Sequence, residues 1–130
     1  MTKADVIARG DAICASALRE VRAVPPPAAG RPLLRGLSAY LARVLPIVTH
    51  EVASIRALPR PAKDRALLNS YVEAVTAVGR EYELLGAAAR AGDRATVARA
   101  LAALRSGTPT LLAIEYGMAQ CAAGAGTAVS

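Results

Sequence analysis

Apolar residues recur every third or fourth position along four long segments of this chain, and stretches rich in proline or glycine separate the segments. This spacing places the apolar side chains along one face of an α-helix. Three consecutive prolines at 25–27 and the LPRP stretch at 58–61 interrupt the pattern. Proline stops a helix because it lacks the backbone N–H and clashes with the preceding turn. The pattern therefore predicts an all-α protein.

The predicted helices cover almost all of the 130 residues. We expect helices at about 3–23, 32–57, 61–90 and 94–122, followed by a frayed tail at 123–130. Long amphipathic helices with short connections are typical of an up-down-up-down four-helix bundle. The same pattern indicates a single domain, residues 1–130, because neither an internal repeat nor a second compositional block is visible.

The break between the third and fourth helices has a compact signature, the AGD stretch at 91–93. Glycine is the preferred residue just past a helix end because it adopts the left-handed conformation without strain. Aspartate is a preferred N-cap because its carboxylate accepts hydrogen bonds from the first free N–H groups. We therefore expect Gly92 to end the third helix and Asp93 to cap the fourth.

The two cysteines, Cys14 and Cys121, lie on apolar stripes of the first and last predicted helices. These helices are antiparallel neighbours in an up-down-up-down bundle, so the prediction is a structural disulfide and an oxidising compartment. The bond requires the first helix to be offset toward the lower end of the bundle. It also requires residues 25–31 to rise along the bundle as an extended segment. Two buried thiols that act as small apolar side chains are the alternative.

The net charge of +6 comes mostly from arginines spread along the chain. They indicate either a solvated helix face or contact with an anionic surface such as the cell envelope. Nucleic acid is not an expected partner, because aromatic residues make up only 3% of the chain and no helix-turn-helix signature occurs. The sequence does not distinguish a monomer from a dimer.

Few residues suggest chemistry. His50 is the only histidine, and the chain has no CxxC motif and no glycine-rich phosphate loop, so no metal or cofactor is predicted. Glu51 falls on the apolar stripe of the second helix, where an unpaired carboxylate is costly. One interpretation is pairing of Glu51 with an arginine or a tyrosine hydroxyl across helices. The other is a polar pocket between helices, formed by Tyr40, His50, Glu51 and Tyr82.

Five short motifs occur in order along the chain: DAIC (11–14), PPP (25–27), LPRPAKD (58–64), AGD (91–93) and YGMAQCAAG (116–124). Together they resemble a group of small exported proteins and lipoproteins of actinobacteria that have no established activity. Those proteins carry one cysteine in an Asp-Ala-Ile-Cys-like helix and another in a Tyr-Gly-x-x-x-Cys-like ending. The resemblance marks Asp11, Cys14, Gly117 and Cys121, and it implies a secreted or membrane-tethered helical bundle.

The start of the chain, MTKADVIARGD, has no continuous apolar core and does not read as a signal peptide. We therefore expect an extracytoplasmic protein whose export segment has been removed, or a cytoplasmic protein. Three functions remain open. The first is a non-enzymatic, disulfide-stapled structural or binding module of the cell envelope. The second is a small helical lyase, mutase or ligand carrier with a pocket between helices, and the third is a peripheral binder of anionic lipid.

Overall fold

A computed structural model describes residues 1–27 and 33–124, and every regular element in these ranges is helical. The predicted all-α class is therefore confirmed for this part of the chain. A 3-10 turn, Ala62–Asp64, precedes the third helix. The α-helices are α1 (Lys3–Arg22), α2 (Leu33–Arg56), α3 (Arg65–Ala91), α4 (Arg94–Leu104), α5 (Thr108–Tyr116) and α6 (Ala119–Gly124).

Helix α1 begins with a capping box. The Thr2 hydroxyl accepts a hydrogen bond from the Asp5 N–H at 3.2 Å, and the Asp5 carboxylate accepts one from the Thr2 N–H at 2.9 Å. The helix ends at Arg22, just before the prolines at 25–27, which are not helical. The rest of the predicted extended segment, 28–31, and the tail at 125–130 lie outside the described residues.

Helices α2 and α3 pack against each other along their length. Helix α2 continues through Pro46, whose ring lies on the exposed side. Helix α3 starts at Arg65, four residues later than predicted, because the 3-10 turn follows Pro61. Gly92 ends α3 with a φ of 72°, and the Asp93 carboxylate caps α4 by accepting the Thr96 N–H at 3.1 Å.

The prediction of one continuous fourth helix at 94–122 is wrong, because the structure divides it into α4, α5 and α6. Pro109 has no N–H to donate to the carbonyl four residues earlier, so α4 stops at Leu104 and Pro109 takes a place in the first turn of α5. Gly117 then ends α5 with a φ of 99°, a conformation that glycine adopts without strain.

These two breaks change how the end of the chain meets α1. Ile7 lies beside Gly117, Gly10 lies against Met118, and Cys14 is joined to Cys121. Both sets of residue numbers ascend together, so the segment leading into α6 runs in the same direction as α1. The antiparallel packing of the first helix against the last segment, expected from an up-down-up-down bundle, is therefore wrong.

The buried apolar side chains form two clusters. One lies between α2, α3 and α4 and includes Tyr40, Leu41, Val44, Val48, Tyr82, Leu85, Val97 and Leu104. The other lies where α1, α5 and α6 meet the far ends of α2 and α3, and it includes Val6, Cys14, Ile55, Leu58, Leu68, Tyr71, Val75, Tyr116, Met118 and Cys121. None of the helices in the described ranges is long and apolar enough to cross a membrane.

Candidate functional site

A cavity of about 100 Å³ lies where the two core clusters meet. Its walls are mostly aliphatic and include residues of all six α-helices, so it is a space between helices. The aliphatic residues that line it include Leu18, Val48, Val52, Ile55, Val75 and Leu104. A space with such walls excludes charged molecules unless a fixed charge compensates them.

One acidic side chain, Glu51, lines this cavity. Burial raises the pKa of its carboxyl group from the usual 4.5 to about 7. Within residues 1–27 and 33–124 the carboxyl group has no hydrogen-bond or ion-pair partner. The expected pairing of Glu51 with an arginine or a tyrosine hydroxyl is therefore not found in this part of the chain.

Two tyrosines of α3, Tyr71 and Tyr82, also line the cavity. Burial raises the pKa of both phenols, and the nearby negative charge of Glu51 raises it further. Val52, next to Glu51, lies opposite Gly79, where an added Cβ would be 3.2 Å from the valine methyl. Glu51 is thus level with the part of α3 between the two tyrosines, which are three helical turns apart.

The pair Cys14 and Cys121 forms another wall of the cavity. Their sulfur atoms are at disulfide distance, 2.02 Å, and the side chains are 6% and 5% exposed. Two further contacts hold α6 against α1. The Asp11 carboxylate accepts the Gln120 N–H at 3.0 Å, and Cys121 Sγ lies 3.3 Å from the Gly10 carbonyl oxygen.

The break between α4 and α5 forms part of the cavity wall. Ser106, in that break, lines the cavity and is exposed, and Pro109 lines it while half-buried. Pro109 lies in the first turn of α5, so the interruption of the predicted fourth helix lies at the cavity.

The predicted polar pocket is only partly found. Glu51 and Tyr82 line the cavity, whereas His50 is exposed and does not. Consecutive helical residues point about 100° apart, which separates His50 from Glu51. Tyr40 is buried near Tyr82, whose pKa it helps to raise, but it does not line the cavity.

Tyr71 was missed by the sequence analysis, which did not include it in the predicted polar pocket. The signal was present in the sequence, because Tyr71 and Tyr82 are eleven positions apart on one face of α3. A buried tyrosine needs a place for its hydroxyl group, and two such residues on one stripe indicate a polar region within an apolar layer.

The arrangement limits the chemistry of the site. No lysine, arginine or histidine lines the cavity, and no group of three histidine, cysteine, aspartate or glutamate side chains suited to a metal ion occurs in the part of the chain that the structure describes. Glu51 can accept a hydrogen bond or bind a cation, whereas no positively charged side chain among the described residues lines the cavity to pair with an anion.

Comparisons with protein-family models, with curated proteins and with solved structures give no match to this chain.

The other residues that the sequence analysis singled out lie at helix ends or in contacts between helices, outside the cavity lining. Gly92 and Asp93 lie at the junction of α3 and α4, Gly117 ends α5, and Asp11 binds the first turn of α6. The functional argument therefore depends on the cavity itself.

Proposed function

We propose that this chain is a non-enzymatic helical module, closed by a disulfide and located outside the cytoplasm, which binds a small and largely apolar ligand between its helices. The observation that carries the proposal is the aliphatic cavity with a single carboxyl group, Glu51, in its wall. An apolar protein cavity of about 150 Å³ can hold benzene, so a space of about 100 Å³ suits a ligand of roughly four to six non-hydrogen atoms.

The composition of the cavity wall supports binding over catalysis. General acid–base catalysis needs a positioned proton donor or acceptor together with a group that stabilises the developing charge. Glu51 is accompanied by two phenols, and Ser106 is an exposed loop residue of the cavity wall. A lyase or mutase acting on an anionic substrate would require converging arginines, and none of the described arginines lines the cavity.

The cysteine pair supports the location. Cys14 and Cys121 are separated by 107 positions and join the two ends of the described chain. Disulfides of this structural kind form and persist in oxidising compartments. In the reducing cytosol the same cysteines would be thiols, and the contact between α1 and α6 would lose its covalent link.

Peripheral binding to anionic lipid is a second candidate. Leu111 and Ile114 are 67% and 60% exposed and lie three positions apart on α5, in a chain with a net charge of +6. Sedimentation with anionic and with neutral vesicles at low and high salt tests it. Binding only to anionic vesicles, weakened by salt and by the Leu111→Ser/Ile114→Ser double substitution, is the expected result. Equal sedimentation with both kinds of vesicle contradicts it.

The ligand proposal is tested with neutral probes of matching size, benzene and 1-butanol, at millimolar concentration. Binding should shift the NMR signals of the Leu18 and Val52 methyl groups more than those of Val6, which does not line the cavity. Ala17 lines the cavity and is buried, so Ala17→Leu should fill the space and abolish the shifts. Ala98→Leu adds the same side chain at an exposed position of α4 and should leave them intact.

Two results would overturn this function. One is the absence of methyl shifts and of thermal stabilisation with every probe. The other is retention of the shifts in Ala17→Leu, which would place the probes outside the cavity.

A further inference from the structure

We infer that the natural ligand of the cavity is a small organic cation, an alkyl- or arylammonium ion whose nitrogen binds the Glu51 carboxylate and whose hydrocarbon part fills the aliphatic space. This inference rests on the proposed function, since it names the class of ligand for the same cavity. It is carried by the charge of the lining residues, by the lack of a partner for Glu51 and by the shape of the wall around it.

The charge of the cavity is opposite to that of the chain. The chain has 16 lysines and arginines against 10 acidic residues, and yet the described residues that line the cavity include one glutamate and no basic residue. A space with low-dielectric walls focuses the field of the charge that it contains. A cation is therefore attracted to this cavity, and an anion is repelled from it.

The carboxyl group of Glu51 lacks a counter-ion. It lies among Val48, Val52 and Ile55 on the stripe of α2 that faces the core, and no described residue donates a hydrogen bond to it. The side chain is half-buried, and an ionised carboxylate beside aliphatic walls is stabilised when a cation or a donor accompanies it. An ammonium group has three N–H donors and a positive charge, so it supplies both.

The surroundings of Glu51 divide the cavity into a polar and an apolar part. Tyr71 and Tyr82 lie on either side of the level of Glu51 on α3, and burial together with the charge of Glu51 keeps both as neutral phenols. A phenol oxygen can accept an N–H that the carboxylate leaves free. The remaining wall is aliphatic or disulfide sulfur, which suits a hydrocarbon chain of about four carbons at the cavity size found.

Binding of an ammonium ion also depends on the protonation of Glu51. The titratable groups near it are the phenols of Tyr71 and Tyr82 on α3, and Asp11 on α1, whose charge also reaches Tyr71. His50 is adjacent on α2 but exposed. Glu51 is the group in the cavity wall that gains or loses its charge near neutral pH, since its pKa is about 7. Amine affinity should therefore fall as the carboxyl group becomes protonated, whereas the affinity for a neutral probe should not.

Three probes of the same length separate the possibilities: n-butylammonium, 1-butanol and butyrate. Their dissociation constants are measured by NMR titration at about pH 8 and about pH 6, one pH unit on either side of the pKa of Glu51. At the higher pH we expect n-butylammonium to bind about tenfold more tightly than 1-butanol, and butyrate not to bind. At the lower pH the preference for the amine should fall by about tenfold.

Glu51→Gln should remove the preference for n-butylammonium and its pH dependence while preserving the binding of 1-butanol, which shows that the cavity is intact. Glu83→Gln, at an exposed position of α3, is the matched control and should behave as the wild type. Equal affinity for amine and alcohol in the wild type, or an amine preference that survives Glu51→Gln, would overturn the inference while leaving the proposed function in place. Failure of all three probes to bind would overturn both.

Discussion

Replacement of both cysteines by alanine should destabilise the protein by about 5 kcal/mol at 25 °C. Cys14 and Cys121 are separated by 107 positions, and a bond between them removes conformational freedom from nearly the whole unfolded chain. The loop-closure relation for a loop of this length gives the stated value. That is a large part of the 5–15 kcal/mol by which typical domains are stable.

The expected loss can be expressed as a melting temperature. An unfolding entropy of about 2.1 cal/mol/K per residue, applied to 130 residues, converts 5 kcal/mol into a decrease of about 18 °C. Alanine is the appropriate replacement because both cysteines are buried and alanine introduces no polar group at either position. The assay is equilibrium unfolding in guanidinium chloride, followed by far-UV circular dichroism, for oxidised wild type and the double variant.

The dependence on denaturant tests the mechanism. Without the cross-link the unfolded chain is more expanded, so the slope of the unfolding free energy against denaturant should increase along with the loss of stability. Met118 is fully buried beside Gly10, and Met118→Ala is the control. It should cost about 2–5 kcal/mol by creating a cavity, with an unchanged slope. A loss below about 1 kcal/mol in the double cysteine variant, with an unchanged slope, refutes the reasoning.

Three further predictions concern single side chains. Because burial raises the pKa of Glu51 from 4.5 to about 7, the folded state binds more protons than the unfolded state between these values. The free energy of unfolding should therefore fall as the pH rises through this window, by at most about 3 kcal/mol. Glu51→Gln should flatten this pH dependence and be more stable than the wild type above pH 7. If Glu51→Gln leaves the pH dependence unchanged, Glu51 is not the group responsible. Gly10→Ala places a Cβ 2.5 Å from the sulfur of buried Met118, so it should destabilise the folded protein by about 1–3 kcal/mol in thermal melts. The control is Gly86→Ala, whose Cβ meets nothing nearer than 3.9 Å. It should be neutral or stabilise the protein by up to about 1 kcal/mol. Asp11→Ala removes the acceptor for the first turn of α6 and should cost about 1 kcal/mol in denaturant unfolding, with Asp11→Asn recovering most of it; equal losses in both variants would show that the hydrogen bond is not responsible.

Local signals in the sequence were sufficient to predict where the first three helices lie. Their apolar stripes, the prolines between them and the AGD junction act over a few residues, so the physics that ends a helix there can be read without knowledge of the rest of the chain. The predicted ends of α1 and α2, at residues 23 and 57, each lie one residue beyond the observed ends, Arg22 and Arg56. The later start of α3 reflects the 3-10 turn after Pro61.

In the region predicted as the fourth helix, the sequence analysis gave too little weight to proline and glycine as helix breakers. Pro109 and Gly117 were both visible, but the apolar stripe on either side of them suggested one continuous helix. The structure instead uses the two residues to turn the chain twice, so that Cys121 reaches Cys14 from a segment parallel to α1. After these turns Tyr116, Met118 and Cys121 are buried, and the contacts of Met118 with Gly10 and of Cys121 with Cys14 join positions more than one hundred residues apart.

The sequence by itself determined that this chain is helical, where its first helices end, and that Cys14, Glu51 and Tyr82 lie on faces directed toward the interior. These properties follow from the helical period and from the backbone chemistry of proline, glycine and the capping residues. Only the tertiary structure decided which of these faces meet. It excluded His50 and Tyr40 from the site, added Tyr71, and left a space bordered by Glu51 and the disulfide. The volume and charge of that space depend on how the six helices pack, and no local pattern in the sequence encodes such a quantity.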